Sequence, residues 1–125
     1  MNDESARMID LARRDLRAAQ GMAVDTLSFT DEIFGFHAQQ AVEKACKAWL
    51  CGLGIVYPKT HDLDLLFHLL SESGAKVPVE YEELLDLVDF SVQYRYEAFE
   101  ELPIDRRETV LLVTRFIEHV TSRLA

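Results

Sequence analysis

An arginine occupies a position in the fourth helical segment where the spacing predicts an apolar residue. At about 100° per residue, Leu84, Val88 and Arg95 fall within about 40° of one line along that helix. A guanidinium without partners is costly to bury, so Arg95 must reach solvent or meet an acceptor. That acceptor is either a carboxylate of the acidic residues nearby or the phosphate of a nucleotide whose base stacks on Tyr94 or Tyr96.

Polar residues also share one face of the second segment: they are His37, Gln40, Lys44 and Lys47, with Glu43 beside them. They span about 80° of arc, opposite a stripe of alanines. Such a face could contribute its lysines to a phosphate site. The plainer interpretation is a solvated face on which Glu43 and Lys47 form an ion pair one helical turn apart, worth a few tenths of a kcal/mol. The spacing leaves both interpretations open.

The third segment carries His61, Asp64 and His68, which are predicted to share its polar face. Asp64 and His68 could jointly ligate a metal ion, but His61 lies too far along the helix axis to complete the site. No other group of His, Cys or Asp residues has ligand spacing. Glycine-rich phosphate loops and nucleophile elbows are absent from the sequence, so we predict neither a metal nor a cofactor.

These residues are positioned by five helical segments, predicted from apolar periodicity and capping residues. The segments cover about residues 5–23, 30–53, 62–71, 79–99 and 105–125, with Thr60 as the cap of the third and Asp105 as the cap of the last. No alternating run bounded by turn residues predicts a strand. The pattern indicates one all-α domain over residues 1–125, an up-and-down four-helix bundle with one additional short helix.

Composition narrows the classes of function. The chain has 125 residues and a net charge of −9, which disfavours bulk binding to DNA because phosphate repulsion opposes the encounter. A local cationic pocket for one nucleotide or a short RNA is compatible with that charge. The sequence contains neither a secretory signal nor the roughly 18 apolar residues that a membrane span needs. Cys46 and Cys51 point in different directions on one predicted helix, and two unpaired thiols indicate a reducing cytoplasm.

Three stretches, taken together, resemble the HEPN family of small prokaryotic helical proteins. They are FHAQQAVEKA at residues 36–45 followed by Lys47-Ala48, KTHDL at residues 59–63, and Tyr94-Arg95-Tyr96. They occur in the family's order at plausible spacing. The resemblance implies a bundle of four principal helices that is usually dimeric. It also implies a partner, because many members act with a minimal nucleotidyltransferase encoded beside them, as a toxin–antitoxin or nucleotide-binding pair.

Other members of that family are metal-independent RNases, in which an arginine is followed four to six residues later by a histidine at the dimer interface. The histidine would act as base or acid, and the arginine would stabilise charge on the phosphate. No histidine follows Arg95 at that spacing, and Glu97 stands where a proline is often expected. The nearest substitute is the pair Arg115 and His119, which the apolar pattern of the last helix predicts to face solvent.

We therefore predict a homodimeric, non-catalytic HEPN-type protein that binds a nucleotide or phosphate beside a nucleotidyltransferase partner in the cytoplasm. Its binding cleft is predicted to contain Arg95, Lys44, Lys47, His61 and Tyr96, with no catalytic residue. One alternative is an RNase toxin with a degenerate Arg/His motif. The other is a purely structural interaction module, in which Arg95 is paired with a carboxylate and binds no ligand.

Overall fold

All the elements that the structure describes are helical, which confirms the predicted all-α fold. The computed structural model describes residues 1–90 and 104–125. In chain order the elements are α1 (Asp3–Ala23), α2 (Asp31–Gly52), α3 (Leu63–Glu72), a 3-10 helix (Val79–Phe90) and α4 (Arg106–Leu124). No strand occurs in those two ranges. None of these helices is long and apolar enough to cross a membrane.

Small residues allow α1 and α2 to pack closely against each other. The alanine stripe of α2, at residues 38, 41, 45 and 48, is fully buried. The hydroxyl of Ser5 donates a hydrogen bond to the carbonyl of Ala48 over 3.0 Å, and the shortness of a serine side chain requires the two backbones to lie near each other. Both helices begin at capped residues, because the side chains of Asn2 and Thr30 each accept a backbone N–H in the first turn.

The start of α3 differs from the prediction. The carboxylate of Asp62 accepts from the amide of Asp64 over 3.0 Å, so Asp62 is the cap. The hydroxyl of Thr60 instead accepts from the amide of Asp62 over 3.0 Å. His61 consequently lies before the helix, and the prediction that it shares a helical face with His68 is wrong. Its ring is directed towards α2 instead.

The fourth segment is a 3-10 helix over residues 79–90, not the predicted α-helix. A 3-10 helix turns once every three residues. Residues four positions apart are about 120° apart in such a helix, so the four-residue line predicted from Leu84 does not hold in this stretch. Arg95, which completed that line, lies outside the described residues. The buried residues recur at the three-residue spacing of the observed helix: they are Tyr81, Leu84 and Leu87.

An arginine ties the start of α4 to the turn between α1 and α2. The side chain of Asp105 caps α4 as predicted, by accepting a backbone N–H of the first turn. Arg106 follows, and its Nε donates to Asp31 over 2.8 Å. Its Nη1 and Nη2 donate to the carbonyls of Met22 and Phe29 over 2.8 Å and 2.6 Å. The guanidinium thus satisfies three acceptors at once and fixes α4 against the first two helices.

Candidate functional site

A buried carboxylate lies at the centre of the polar face of α2. Glu43 is 3% exposed, and both of its oxygens are occupied. Oε2 accepts from Lys47 Nζ over 3.1 Å, and Oε1 accepts from His61 Nδ1 over 2.9 Å. The predicted ion pair is present, but the solvated surroundings predicted for it are wrong, because the carboxylate is almost completely shielded. We name these residues, together with Gln39 and Gln40, the Glu43 cluster.

Two glutamines complete the hydrogen bonding within this cluster. Gln39 is fully buried, and its Nε2 donates to Glu43 Oε1 over 3.2 Å and to the carbonyl of His61 over 3.0 Å. Gln40 Nε2 donates to Gln39 Oε1 over 2.8 Å. A buried polar group left without a partner costs about 1–3 kcal/mol, so these amide contacts matter for stability. They fix both the carboxylate and the backbone of the connector that carries His61.

The side chain of His61 is largely exposed to solvent. An ionised carboxylate can only accept hydrogen bonds, so Nδ1 carries a hydrogen towards Glu43, and Nε2 lies on the opposite side of the ring. The side chain of His61 is 58% exposed, whereas that of Lys47 is 12% exposed. Lys47 Nζ also lies 5.6 Å from the ring centroid of Tyr57, within cation–π range. An imidazole and an ammonium held on one carboxylate can together bind an anion.

Lys44 belongs to a separate cluster on the α1 side of α2. Its Nζ pairs with Oδ2 of Asp15, and His37 Nδ1 lies 3.0 Å from Oδ1 of the same carboxylate. Asp15 is a residue of α1, so these contacts join the two helices. The side chain of Asp15 is 13% exposed and that of Lys44 is 25% exposed. A phosphate at Lys44 would therefore compete with a carboxylate that already neutralises the lysine.

The structure places three of the five predicted binding residues. Two of them, Lys47 and His61, meet on one carboxylate, whereas Lys44 is held by another. Arg95 and Tyr96 lie outside the described residues, so their part in the site stays a prediction. The two described basic residues that meet come from different elements, one from α2 and one from the connector before α3. Their meeting is a property of the fold that their positions in the sequence do not reveal.

The sequence interpretation missed the central role of Glu43. Gln39, Glu43 and Lys47 follow one another at four-residue spacing, directly beside the buried alanine stripe of α2. That adjacency is the signal that could have identified a buried carboxylate, because residues next to an apolar stripe are partly covered by the neighbouring helix. Periodicity alone assigned Glu43 to the solvent side.

The polar residues of α3 form only an exposed ion pair. His68 Nε2 lies 3.1 Å from Glu72 Oε1, and both side chains are 64% exposed. Exposed pairs of this kind contribute little to stability. Across residues 1–90 and 104–125, no group of three or more His, Cys, Asp or Glu side chains is arranged to hold a metal ion.

His119 is half-buried, so it faces solvent less than predicted. Its ring packs against Trp49, with centroids 5.5 Å apart, and against Tyr81, with centroids 5.8 Å apart. Its Nε2 is buried and makes no hydrogen bond within the part of the chain that the structure describes. Burial lowers the pKa of His119, and the nearby charge of Arg123 lowers it further. Arg115 is exposed as predicted, whereas His119 is only partly exposed.

Comparison with known proteins identifies similar chains. A family model described as the HEPN domain matches residues 6–123. The structure is also similar to the crystal structure of an archaeal HEPN homologue, with a TM-score of 0.72 and 23% sequence identity over 99% of this chain and 100% of that one. At that identity the likeness concerns the fold. No curated protein matches the sequence.

Proposed function

Because the chain belongs to the HEPN family, we propose that it is a non-catalytic protein that binds a nucleotide or phosphate and acts with a nucleotidyltransferase partner. Its proposed working form is a homodimer, and the pair would function as a toxin–antitoxin system. One observation supports the binding site: Lys47 and His61 meet on the buried carboxylate of Glu43. An ammonium and an imidazole held in fixed positions are suited to recognising a phosphate.

The fixed positions of the donors lower the cost of binding. Immobilising a flexible side chain on association costs about 0.5–1.5 kcal/mol. Lys47 is already held by Glu43 and by the ring of Tyr57, so much of that cost is met during folding. Glu43 alone would repel an anion, but the ammonium of Lys47 balances its charge. Each hydrogen bond from a charged donor to a phosphate oxygen then contributes about 1.5–3 kcal/mol.

The charge of the whole chain restricts the ligand to a small one. At a net charge of −9, a long polyanion is repelled by most of the surface. A single nucleotide or a short RNA presents a few phosphates to one small cationic site, so repulsion by the remaining surface is weaker. We propose that Arg95 supplies a further phosphate contact and that Tyr96 supplies a stacking surface for the base. Lys44 would contribute from the next turn of α2 by releasing the carboxylate of Asp15 and binding the ligand instead.

Calorimetric titration tests the proposed binding function. ATP, the other nucleoside triphosphates and a short RNA are titrated into the wild-type protein and into Arg95→Ala and Lys47→Gln. We expect at least one ligand to bind, and each substitution to weaken it by about tenfold or more, the loss of one charge-assisted hydrogen bond. Lys76→Gln, at an exposed lysine, is the matched control and should bind as wild type. Absence of heat with every ligand, or wild-type affinity in Arg95→Ala, contradicts the proposal.

The proposed partner is tested separately. A reading frame for a nucleotidyltransferase beside this gene, and co-elution of the two co-expressed proteins, are the expected results. A chain that remains uncomplexed when expressed with such a neighbour contradicts the partnership, without affecting the binding measurements. Light scattering on the isolated chain tests the homodimer, and the mass of a monomer at micromolar concentration would contradict it.

A further inference from the structure

We propose that a phosphate binds at the Glu43 cluster together with one proton, which is taken up on Nε2 of His61. This inference rests on the proposed function, since it concerns the same site. Its basis is the contact between His61 Nδ1 and Glu43 Oε1 over 2.9 Å. Glu43 receives hydrogen bonds from Lys47 and from the buried amide of Gln39 as well, so its oxygens act as acceptors only.

The hydrogen-bonding pattern determines what the exposed side of His61 can recognise. With a hydrogen fixed on Nδ1, a neutral imidazole has a lone pair on Nε2. A phosphate oxygen also carries lone pairs, so the neutral ring and the phosphate repel each other. Protonation of Nε2 converts that nitrogen into a donor. A phosphate bound there requires the imidazolium form of His61, so binding to the neutral form takes up one proton.

The charges of the cluster also couple phosphate binding to protonation of His61. Glu43 and Lys47 carry opposite charges 3.1 Å apart and leave the cluster neutral when the imidazole is neutral. Protonation of His61 gives the cluster a net charge of +1, which attracts a phosphate dianion. The dianion in turn stabilises the imidazolium, since an opposite charge nearby favours the charged form of a group. Binding of the phosphate and binding of the proton therefore reinforce each other.

The charged groups on the neighbouring elements do not provide a second imidazole on Glu43 that could take up this proton. On α2 the neighbouring groups are the carboxylate of Glu43 and the ammonium of Lys47, and the adjoining cluster adds those of Asp15 and Lys44, so none of these four groups is an imidazole. On the connector, the neighbouring polar groups are the exposed ammonium of Lys59 and the half-buried phenol of Tyr57, and at the start of α3 the carboxylate is that of Asp62. The other imidazole beside this face is that of His37, held on Asp15. His37 is therefore the natural control.

Calorimetry in paired buffers measures the proton directly. ATP is titrated at one pH, above the range in which a phosphate ester itself titrates, in two buffers that differ in ionisation enthalpy. The dependence of the observed heat on the buffer gives the number of protons taken up. We expect a value approaching one for the wild-type protein. The affinity should correspondingly fall by up to about tenfold for each unit of increasing pH.

Three variants locate the proton. His61→Gln keeps an amide donor at this position but cannot titrate, so it should bind ATP more weakly, with no proton uptake and little pH dependence. His37→Gln and His68→Gln should retain the wild-type proton uptake. Binding of ATP without proton uptake, or uptake that survives in His61→Gln, overturns this inference while leaving the binding function intact. No binding by the wild-type protein overturns the proposed function and this inference with it.

Discussion

Replacing Glu43 by glutamine is expected to destabilise the protein far more than the same change at a surface glutamate. The side chain of Glu43 is 4% exposed, and it balances Lys47, which is 12% exposed. Glutamine has nearly the same shape and keeps one acceptor oxygen, so the substitution removes the charge without leaving a large cavity. What is lost is the charge of the acceptor that serves both Lys47 and His61.

The magnitude follows from the two charge-assisted contacts. Each hydrogen bond to a charged partner contributes about 1.5–3 kcal/mol, but Lys47 can recover part of that by moving towards water. We expect Glu43→Gln to lower the free energy of unfolding by about 2 kcal/mol, which corresponds to a fall in Tm of roughly 6 °C for a chain of this length. Glu72 is the matched control, because it pairs with His68 while both side chains are 64% exposed. Glu72→Gln should change stability by less than about 0.5 kcal/mol.

Urea denaturation of the two variants, followed by circular dichroism, measures the difference. A double-mutant cycle with Lys47→Gln adds a second test, since residues in one ion pair should show a coupling energy of about 1 kcal/mol or more. Equal stability of Glu43→Gln and Glu72→Gln, with no coupling in the cycle, would refute the description of Glu43 as the centre of a buried network.

Three further predictions concern stability. Arg106→Met should lower the free energy of unfolding by about 2–4 kcal/mol, because the side chain of Arg106 is 10% exposed and its three hydrogen bonds are lost. In the control Arg107→Met, the free energy of unfolding measured in urea should stay within about 0.5 kcal/mol of the wild-type value. Gly21→Ala should stabilise by about 0.5–1 kcal/mol, because α1 continues through this position and nothing lies within 4 Å of the added methyl group. Gly54→Ala should instead lower Tm, because Gly54 has a φ of 78°; opposite signs would contradict this reasoning. Burial lowers the pKa of His119, so the unfolded chain binds a proton at this residue more readily than the folded chain does. The free energy of unfolding should therefore decrease as the pH drops below about 6.5. In His119→Leu this contribution to the pH dependence should be absent. Identical pH profiles of the wild type and this variant would contradict it.

Local features of the fold were predictable from the sequence. The buried stripe of α2 follows from alanines at helical spacing, and the cap of α4 follows from the side chain of Asp105, which can accept a nearby amide. The cap of α3 was not predictable in this way, because Thr60 and Asp62 both carry suitable oxygens. The backbone between them is also held from a distance, through the bond from Gln39 to the carbonyl of His61.

The features that failed depend on contacts between distant residues. Residues 79–90 contain apolar residues at both three- and four-residue intervals, and packing of Tyr81 against Phe116 of α4 accompanies the 3-10 form. His119 lies on the polar side of α4 by periodicity, yet Trp49 of α2 covers it. Glu43 and His61 form a hydrogen bond although they are 18 residues apart in the sequence. No local pattern reports such a contact, so candidate residues could be named from the sequence while their arrangement could not.

A nuclear magnetic resonance titration of labelled protein with ATP is the most direct test of the proposed phosphate binding at Lys47 and His61, because it reports both binding and its location. We expect the ring signals of His61 and the ammonium or amide signals of Lys47 to shift in a saturable manner, while the ring signals of His68 on the exposed side of α3 do not. Shifts confined to the groove lined by Thr30 and Arg106 at the start of α4, or no shifts at all, would contradict phosphate binding at Lys47 and His61.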